Sequence, residues 1–340
     1  MLSVLLPVRN GAQTLDIALS SLATQRVQPT ECVVIDDGST DSTGEVLERW
    51  RLKWPALRTI RTSGIGIGAA LNLGLSQCRF PWIARMDADD RCHPERFERQ
   101  LKAAAEDRRR ALISCQVRHW CEDPSYLGMQ RHIEWANAAL EHDTLEQALW
   151  VDSPLPHPTW LIHQRALQAV GRYDSSSEVP EDYEWLHRFF EKARTDSSLL
   201  AHKVGEEPLL DWADSSTRLT RTHGAYATNA FDQVKVQALK RRLTNEQREI
   251  FIFGLGPKAK ALFPLLKDAF EIRAIVDVNP RHEGIIYNGV EVWGPERWKK
   301  HPRTSAMLVL NCVGTSEARA SCETACTEAG LKAGEGFISL

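Results

Sequence analysis

Apolar and polar positions change period in a regular way over the first 110 residues. Residues 3–8, SVLLPV, form a short apolar run that ends at the turn residues Asn10 and Gly11. Residues 13–25 then place Leu15, Ala18, Leu19 and Leu22 at helical spacing. ECVVIDDGS is a second buried strand, stopped by Asp36, Asp37 and Gly38, and Ser39 or Asp41 is placed to cap a helix running to about Trp54. LRTIRT predicts a third strand, residues 64–77 a glycine-rich turn feeding a helix, and PWIARMD a fourth strand. Strands alternating with helices predict parallel βαβ units, in which ligands sit beyond the carboxyl ends of the strands. The polar clusters fall at those ends: residues 7–10, 36–41 and 87–90.

The middle of the chain, about 111–240, is less regular and rich in Trp and His, with turn clusters at 152–158 and 173–182 and helices predicted near 95–106, 183–194 and 227–243. KRRLTNEQRE (240–249) is polar and charged, and IFIFGLGPKAKALFPLL after it restarts a strand–turn–helix pattern. This predicts one domain over 1–247, with parts 1–110, 111–225 and a helical linker 226–247, and a second domain over 248–340.

Composition narrows the class. With 340 residues, 43% hydrophobic and 26% charged, the chain reads as an ordinary globular protein with length for two domains. A net charge of -3 gives no global pull toward nucleic acid or anionic lipid. The eight cysteines include no C-x-x-C pair, which fits core thiols in a reducing compartment rather than disulfides or zinc. The start, MLSVLLPVRNG, lacks the charged head and length of a signal peptide, and no apolar run approaches the roughly 20 residues a membrane span needs. The expected location is the cytoplasm, with any service to a membrane performed from its inner surface.

Asp87, Asp89 and Asp90 crowd three carboxylates at the end of the fourth strand. Converging carboxylates repel unless a cation joins them, and hard oxygen ligands suit Mg2+ or Mn2+ with phosphate oxygens completing the shell. The plain alternative is a solvated acidic turn before the helix near Pro94.

In that context the segments LLPVRNGAQTLDIALSSLATQ, VVIDDGSTDST and GIGIGAALNLGLSQCRFPWIARMDADD resemble, in order and spacing, the nucleotide-sugar-binding half of a family 2 glycosyltransferase. HPTWLIHQRALQAVGRYD (157–174) and PEDYEWLHRF (180–189) extend the resemblance to about residue 225. It implies the GT-A nucleotide-diphospho-sugar transferase fold, a mostly parallel mixed sheet flanked by helices. Residues 1–110 would be the nucleotide-sugar half and 111–225 the acceptor half. It further implies that Pro7, Val8, Arg9, Asp36 and Asp37 line the nucleoside pocket, and that Gly66, Gly68 and Asn72 face the nucleotide. Arg85 and Asp87 would lie near the ribose, Asp89 (with Asp87) would hold Mn2+ or Mg2+ under the diphosphate, and Asp182, beside Glu181, would be the general base. His157, Arg218 and Arg221 would approach the diphosphate or acceptor, with His223 a weaker candidate. Each has a structural counterpart reading: turn and capping for Asp36 and Asp37, turn geometry for Gly66 and Gly68, ion pairing for Arg85, a packed hydrogen-bonded ring for His157, and a helix first turn for Glu181 and Asp182. With no second carboxylate placed as a nucleophile, the resemblance favours inversion.

After residue 248, Gly254-x-Gly256-x-x-Ala259 and Asp277 at the next strand end fit the dinucleotide fingerprint, in a segment half the size of a full dinucleotide domain. The segment resembles the small Rossmann-like domain of sugar acyltransferases. A bound nucleotide, sugar or phosphate is one reading, and docking, including a homodimer formed through this domain, is the other. The whole arrangement also resembles β-1,3-N-acetylglucosaminyltransferase-like proteins, some of which galactosylate queuosine in tRNA. The implied acceptors are therefore a glycan, a lipid-linked glycan or a tRNA nucleoside. Lys235, Lys240, Arg241 and Arg242 are the one dense basic cluster, equally readable as a solvated helix face. The competing classes are a non-catalytic nucleotide-sugar-binding protein, which has no need of a base, and a nucleotidyltransferase, whose basic glycine-rich first turn is replaced here by PVRNGAQ.

Overall fold

The computed structural model describes residues 1–121, 127–214 and 224–340. They group into two compact units, Met1–Ala148 with Ser153–Ala227, and Leu149–Asp152 with Thr228–Leu340. The helix assigned to a linker in the sequence reading therefore groups with the second unit.

The first unit begins as its apolar pattern dictates. Strand β1 (Leu2–Val8) and strand β2 (Glu31–Asp36) are buried at every position, as a parallel sheet covered on both faces requires. Helix α1 (Leu15–Ala23) buries Leu15, Ala18, Leu19 and Leu22. Helix α2 (Thr43–Lys53) starts later than Ser39 would allow, because the Asp41 carboxylate accepts the Thr43 amide at 3.0 Å. Ser39 instead takes the Asn10 amide at 2.9 Å, tying the turn after β1 to the turn after β2. There follow β3 (Leu57–Arg61), α3 (Ile67–Gln77), β4 (Trp82–Arg85), β5 (Arg91–Cys92), α4 (Arg96–Glu106), β6 (Arg110–Cys115) and β7 (Val117–Trp120). Next come α5 (Leu127–Ala138), α6 (His142–Val151), β8 (Leu161–His163), α7 (Gln164–Val170), α8 (Glu181–Ala193), β9 (Leu200–Val204) and β10 (Leu210–Ala213).

Seven strands form one sheet in the order β3-β2-β1-β4-β8-β6-β9, parallel except for β8, and β5-β10-β7 form a small second sheet. The chain leaves β1 toward β2 and β3 and returns to the other side of β1 as β4. The order therefore reverses between β1 and β4, and their carboxyl ends flank the crevice where such sheets bind ligands. The sheet hides one acid at its amino end. Glu31 is 1% exposed; it accepts the Ser3 hydroxyl at 2.7 Å, the Arg79 amide at 2.6 Å and the Arg58 guanidinium at 3.1 Å. The irregular middle of the sequence supplies β6, β8 and β9, which complete the same sheet.

The second unit holds α9 (Thr228–Leu243), β11 (Glu249–Phe253), α10 (Pro257–Ala269), β12 (Ile272–Val276), β13 (Ile286–Tyr287), β14 (Val290–Trp293), α11 (Pro295–Lys300), β15 (Met307–Asn311), α12 (Ser316–Glu328) and β16 (Phe337–Ser339). Its sheet runs β13-β14-β12-β11-β15-β16, parallel apart from β13, as the repeated βαβ pattern predicts. The basic cluster is not one solvated face: Lys240 and Arg241 are exposed, while Lys235 is 4% exposed and donates to the Val151 carbonyl at 2.9 Å. None of the eight cysteines is in a disulfide. Among the described residues no helix is long and apolar enough to cross a membrane.

Candidate active site

Strand β4 ends on Arg85, and the turn after it brings ligand atoms of Asp87, Asp89 and Asp90 within 4.8 Å of one another. Arg85 is 6% exposed and ion-paired with Asp87. It is held from behind, because Arg96 on α4 donates to its carbonyl at 2.9 Å and its amide donates to the Trp160 carbonyl at 2.8 Å. Asp90 accepts the Ala213 amide at 2.8 Å and so anchors β10 to this turn. A further donor group, His119, Cys121 and Asp214, stands at the ends of β7 and β10, with His119 Nε2 3.2 Å from Asp214.

Helix α8 delivers two more carboxylates. Glu181 is 4% exposed and accepts the Tyr226 hydroxyl at 2.7 Å. Burial, then the charge of Asp182, pushes Glu181 up to about 7, and burial likewise raises Asp182, with Asp87 adding to the effect and Arg85 opposing it. Those mutual effects place the α8 pair in the field of the β4 turn. Five acids, Asp87, Asp89, Asp90, Glu181 and Asp182, thus gather around one buried guanidinium. Such an excess of hard oxygen donors is what a divalent cation would relieve. His157 is 5% exposed, bonded to the Tyr173 hydroxyl at 3.0 Å and held well below its ordinary pKa by burial and then by Arg85. It is a neutral, packed ring behind Arg85.

The residues assigned to the nucleoside pocket lie at the ends of β1 and β2, but several are committed to the chain. Pro7 and Val8 are buried strand residues in register with Ile35 and Asp36. Arg9 is exposed and lies over Gly64, 3.7 Å from where a Cβ there would stand. Asp36 accepts the Ser39 amide at 2.9 Å and faces Arg61 at 3.4 Å. Asp37 binds the amides of Ile65 at 2.7 Å and Gly66 at 2.9 Å, so it shapes the loop leading into α3. Gly66 needs its φ of +87°, and a Cβ on Gly68 would strike the Asp174 carbonyl oxygen at 2.2 Å. Asn72 uses both ends of its amide on the Tyr173 backbone, at 2.9 Å each, so a contact with nucleotide would require it to release one. Arg218, Arg221 and His223 lie outside the described residues. Sequence alone assigns no role to Tyr173, although it lies in the 157–174 segment, or to Tyr226, and only the packing brings them to His157 and Glu181.

Residues 3–171 match the family described as glycosyl transferase family 2. The chain is also 38% identical over 190 residues, 55% of this chain and 68% of the relative, to the amylovoran biosynthesis glycosyltransferase AmsE of Erwinia amylovora. The chain belongs to the family 2 glycosyltransferases. This glycosyltransferase is 28% identical over 181 residues, 53% of its length and 63% of the relative's, to UDP-Gal:alpha-D-GlcNAc-diphosphoundecaprenol beta-1,3-galactosyltransferase of Escherichia coli. Its fold is that of the GT-A enzymes. It superposes on residues 1–349 of S. aureus TarS in complex with UDP-GlcNAc with a TM-score of 0.52 at 16% identity, over 78% of this chain and 80% of that one. The mannosyltransferase PcManGT of Pyrobaculum calidifontis, in complex with GDP-Man and Mn2+, gives 0.51 at 19% identity over 78% of this chain and 68% of its own.

Proposed function

We propose that this glycosyltransferase transfers a sugar with inversion from a nucleotide-diphosphate sugar, of the UDP class, to a hydroxyl of a glycan or lipid-linked glycan. The carrying observation is the gathering of Asp87, Asp89, Asp90, Glu181 and Asp182 around buried Arg85 at the sheet's switch point. The support for donor and acceptor is the naming of UDP-Gal and a diphosphoundecaprenol acceptor for one relative, and of UDP-GlcNAc and GDP-Man with Mn2+ for two structures of the same fold.

Asp89 and Asp87 are the residues that would hold Mn2+ or Mg2+. When bound, the ion supplies positive charge opposite the leaving diphosphate. The chain's own part is as follows. Arg85 fixes Asp87 and keeps the acids from repelling one another apart. Asp182 takes the proton from the acceptor hydroxyl as that oxygen bonds to the anomeric carbon and the carbon–oxygen bond to the diphosphate breaks. Its raised pKa makes it a stronger base than an ordinary aspartate. Glu181, raised by burial and by the charge of Asp182 against the opposing hydrogen bond from the Tyr226 hydroxyl, stands beside Asp182 and raises its basicity when ionised. A single displacement of this kind inverts the anomeric carbon.

A screen of UDP- and GDP-sugars with Mn2+ or Mg2+ tests this. Asp89→Ala loses metal-dependent donor binding, while Asp182→Asn retains binding and loses roughly 10²–10⁴-fold in transfer rate. Wild-type transfer by both variants would overturn the assignment.

A further inference from the structure

The glycine turn of the second unit has no part in the transfer site. In that unit the chain leaves β11 toward β12 on one side and returns to the other side as β15, so the order again reverses, here between β11 and β15. The turns after these two strands, Gly254–Gly256 and Cys312–Thr315, open one crevice. Gly254 requires its φ of +90°, and a Cβ on Gly256 would meet nothing within 4 Å, so this side of the turn is open. A Cβ on Gly314 would stand 3.7 Å from the Lys258 Cβ, which sets the second turn against the start of α10.

Three cations come together at this crevice from three helices: Lys258 in the first turn of α10, Arg319 in the first turn of α12 and Lys235 on α9. Helix α10 carries no acid in its first turn. A lysine there stands against the positive end of the helix dipole. Lys235 is buried, and the Arg319 Nε is buried without a hydrogen-bond partner. Burial, then the neighbouring Lys235 and Arg319, bring Lys258 down to about 8, against a weaker opposing pull from Cys312 and Asp232. Asp232 and Asp152 face Lys235, and Glu323 faces Arg319. Each of these two cations has a carboxylate, whereas Lys258 meets mainly like charge. Repelling cations at an open turn and a helix start form an unfavourable arrangement that an anion reverses.

We propose that the second unit binds a phosphate-bearing small molecule at the crevice between β11 and β15, its phosphoryl oxygens on Lys258, Arg319 and the Gly256 amide, the amides of Gly254 and Leu255 being bonded to Val276 and Asp277. The ligand is not a dinucleotide held by the fingerprint acid. Asp277 is committed to the chain, accepting the Leu255 amide at 2.6 Å, the Asn279 amide at 2.8 Å and facing His282 at 3.1 Å. Both Asp277 oxygens are thus already engaged by the chain. This proposal does not depend on the chemistry assigned to the first unit.

The test is calorimetric titration of the full chain with inorganic pyrophosphate and with UDP, both in EDTA so that a metal-dependent site is silent. Wild type and Asp89→Ala bind one equivalent of pyrophosphate, and Lys258→Gln and Arg319→Gln bind it at least about tenfold more weakly. Lys258→Arg keeps binding, which separates loss of charge from loss of fold. The bound anion raises the Lys258 pKa, so binding near pH 8 takes up a proton and weakens as pH rises further. Titrations in two buffers of different ionisation enthalpy show this uptake in wild type and its loss in Lys258→Arg. Tighter, Lys258-dependent binding of UDP than of pyrophosphate identifies a nucleoside diphosphate, and equal binding identifies the phosphoanion alone. No saturation at millimolar pyrophosphate, or saturation unchanged by Lys258→Gln and Arg319→Gln, would overturn the proposal.

Discussion

Glu181 is the residue whose environment departs furthest from what its position in a helix first turn would suggest. An exposed acid there is stabilised by the helix dipole and stays ionised. Here burial outweighs the dipole and lifts the group from 4.5 to about 7. The folded protein therefore holds a proton that the unfolded chain has lost between these two values. The consequence has a definite sign: this group's contribution to stability is full below about pH 4.5 and declines as pH rises to about 7, by up to about 3 kcal/mol. Urea denaturation at pH 5 and pH 8 should show that decline in wild type and a flatter profile in Glu181→Gln. The transfer rate moves the other way: on the proposed role of Asp182, protonating that carboxylate, whose pKa burial raises, removes the base, so the rate falls as pH drops.

At the scale of elements, α3 shows how a helix can be placed by the absence of a side chain. Gly68 lies under the backbone of Asp174, and Asn72, one turn further along, clasps Tyr173 through both ends of its amide. Together they seat α3 against the segment that leads to Glu181. Gly68→Ala has backbone rather than a flexible side chain in its way, so it should destabilise the first unit by about 1–3 kcal/mol. Thermal denaturation measures the loss, and donor binding should weaken with it as the loop from Asp37 to Gly66 shifts. Both glycines stood out in the sequence as a turn before a helix. Their real constraints, the positive φ at Gly66 and the contact at Gly68, involve residues more than a hundred positions away in the latter case.

For the molecule as a whole, two compact units mean that one melting temperature does not describe the chain. A ligand that binds only the first unit raises only the transition that unit carries. UDP with Mn2+ at 100 times its dissociation constant should stabilise that transition by about 2.7 kcal/mol, and scanning calorimetry should find no such rise in Asp89→Ala.

The two scales of information divide cleanly along the chain. Apolar runs, helical spacing and polar strand ends are local properties, so the strands β1 to β4, the helices between them and the Asp87–Asp89 turn could be read from residues alone, as could the strand–turn–helix restart near residue 249. Strand β8 could not be read: it is three residues long, and its antiparallel place in the sheet comes from the neighbours it meets. Burial and convergence also belong to the tertiary structure. Packing alone brings α8 to the end of β4, turns Glu181 and Asp182 into raised acids beside Arg85, and makes His157 a buried neutral ring. Packing likewise sends Lys235 inward to Lys258 and Arg319, although the sequence places it with its basic neighbours on α9. A pKa or a binding crevice depends on charge and dielectric at distances of a few ångströms, and residues far apart in the chain reach those distances only when the sheet closes around them.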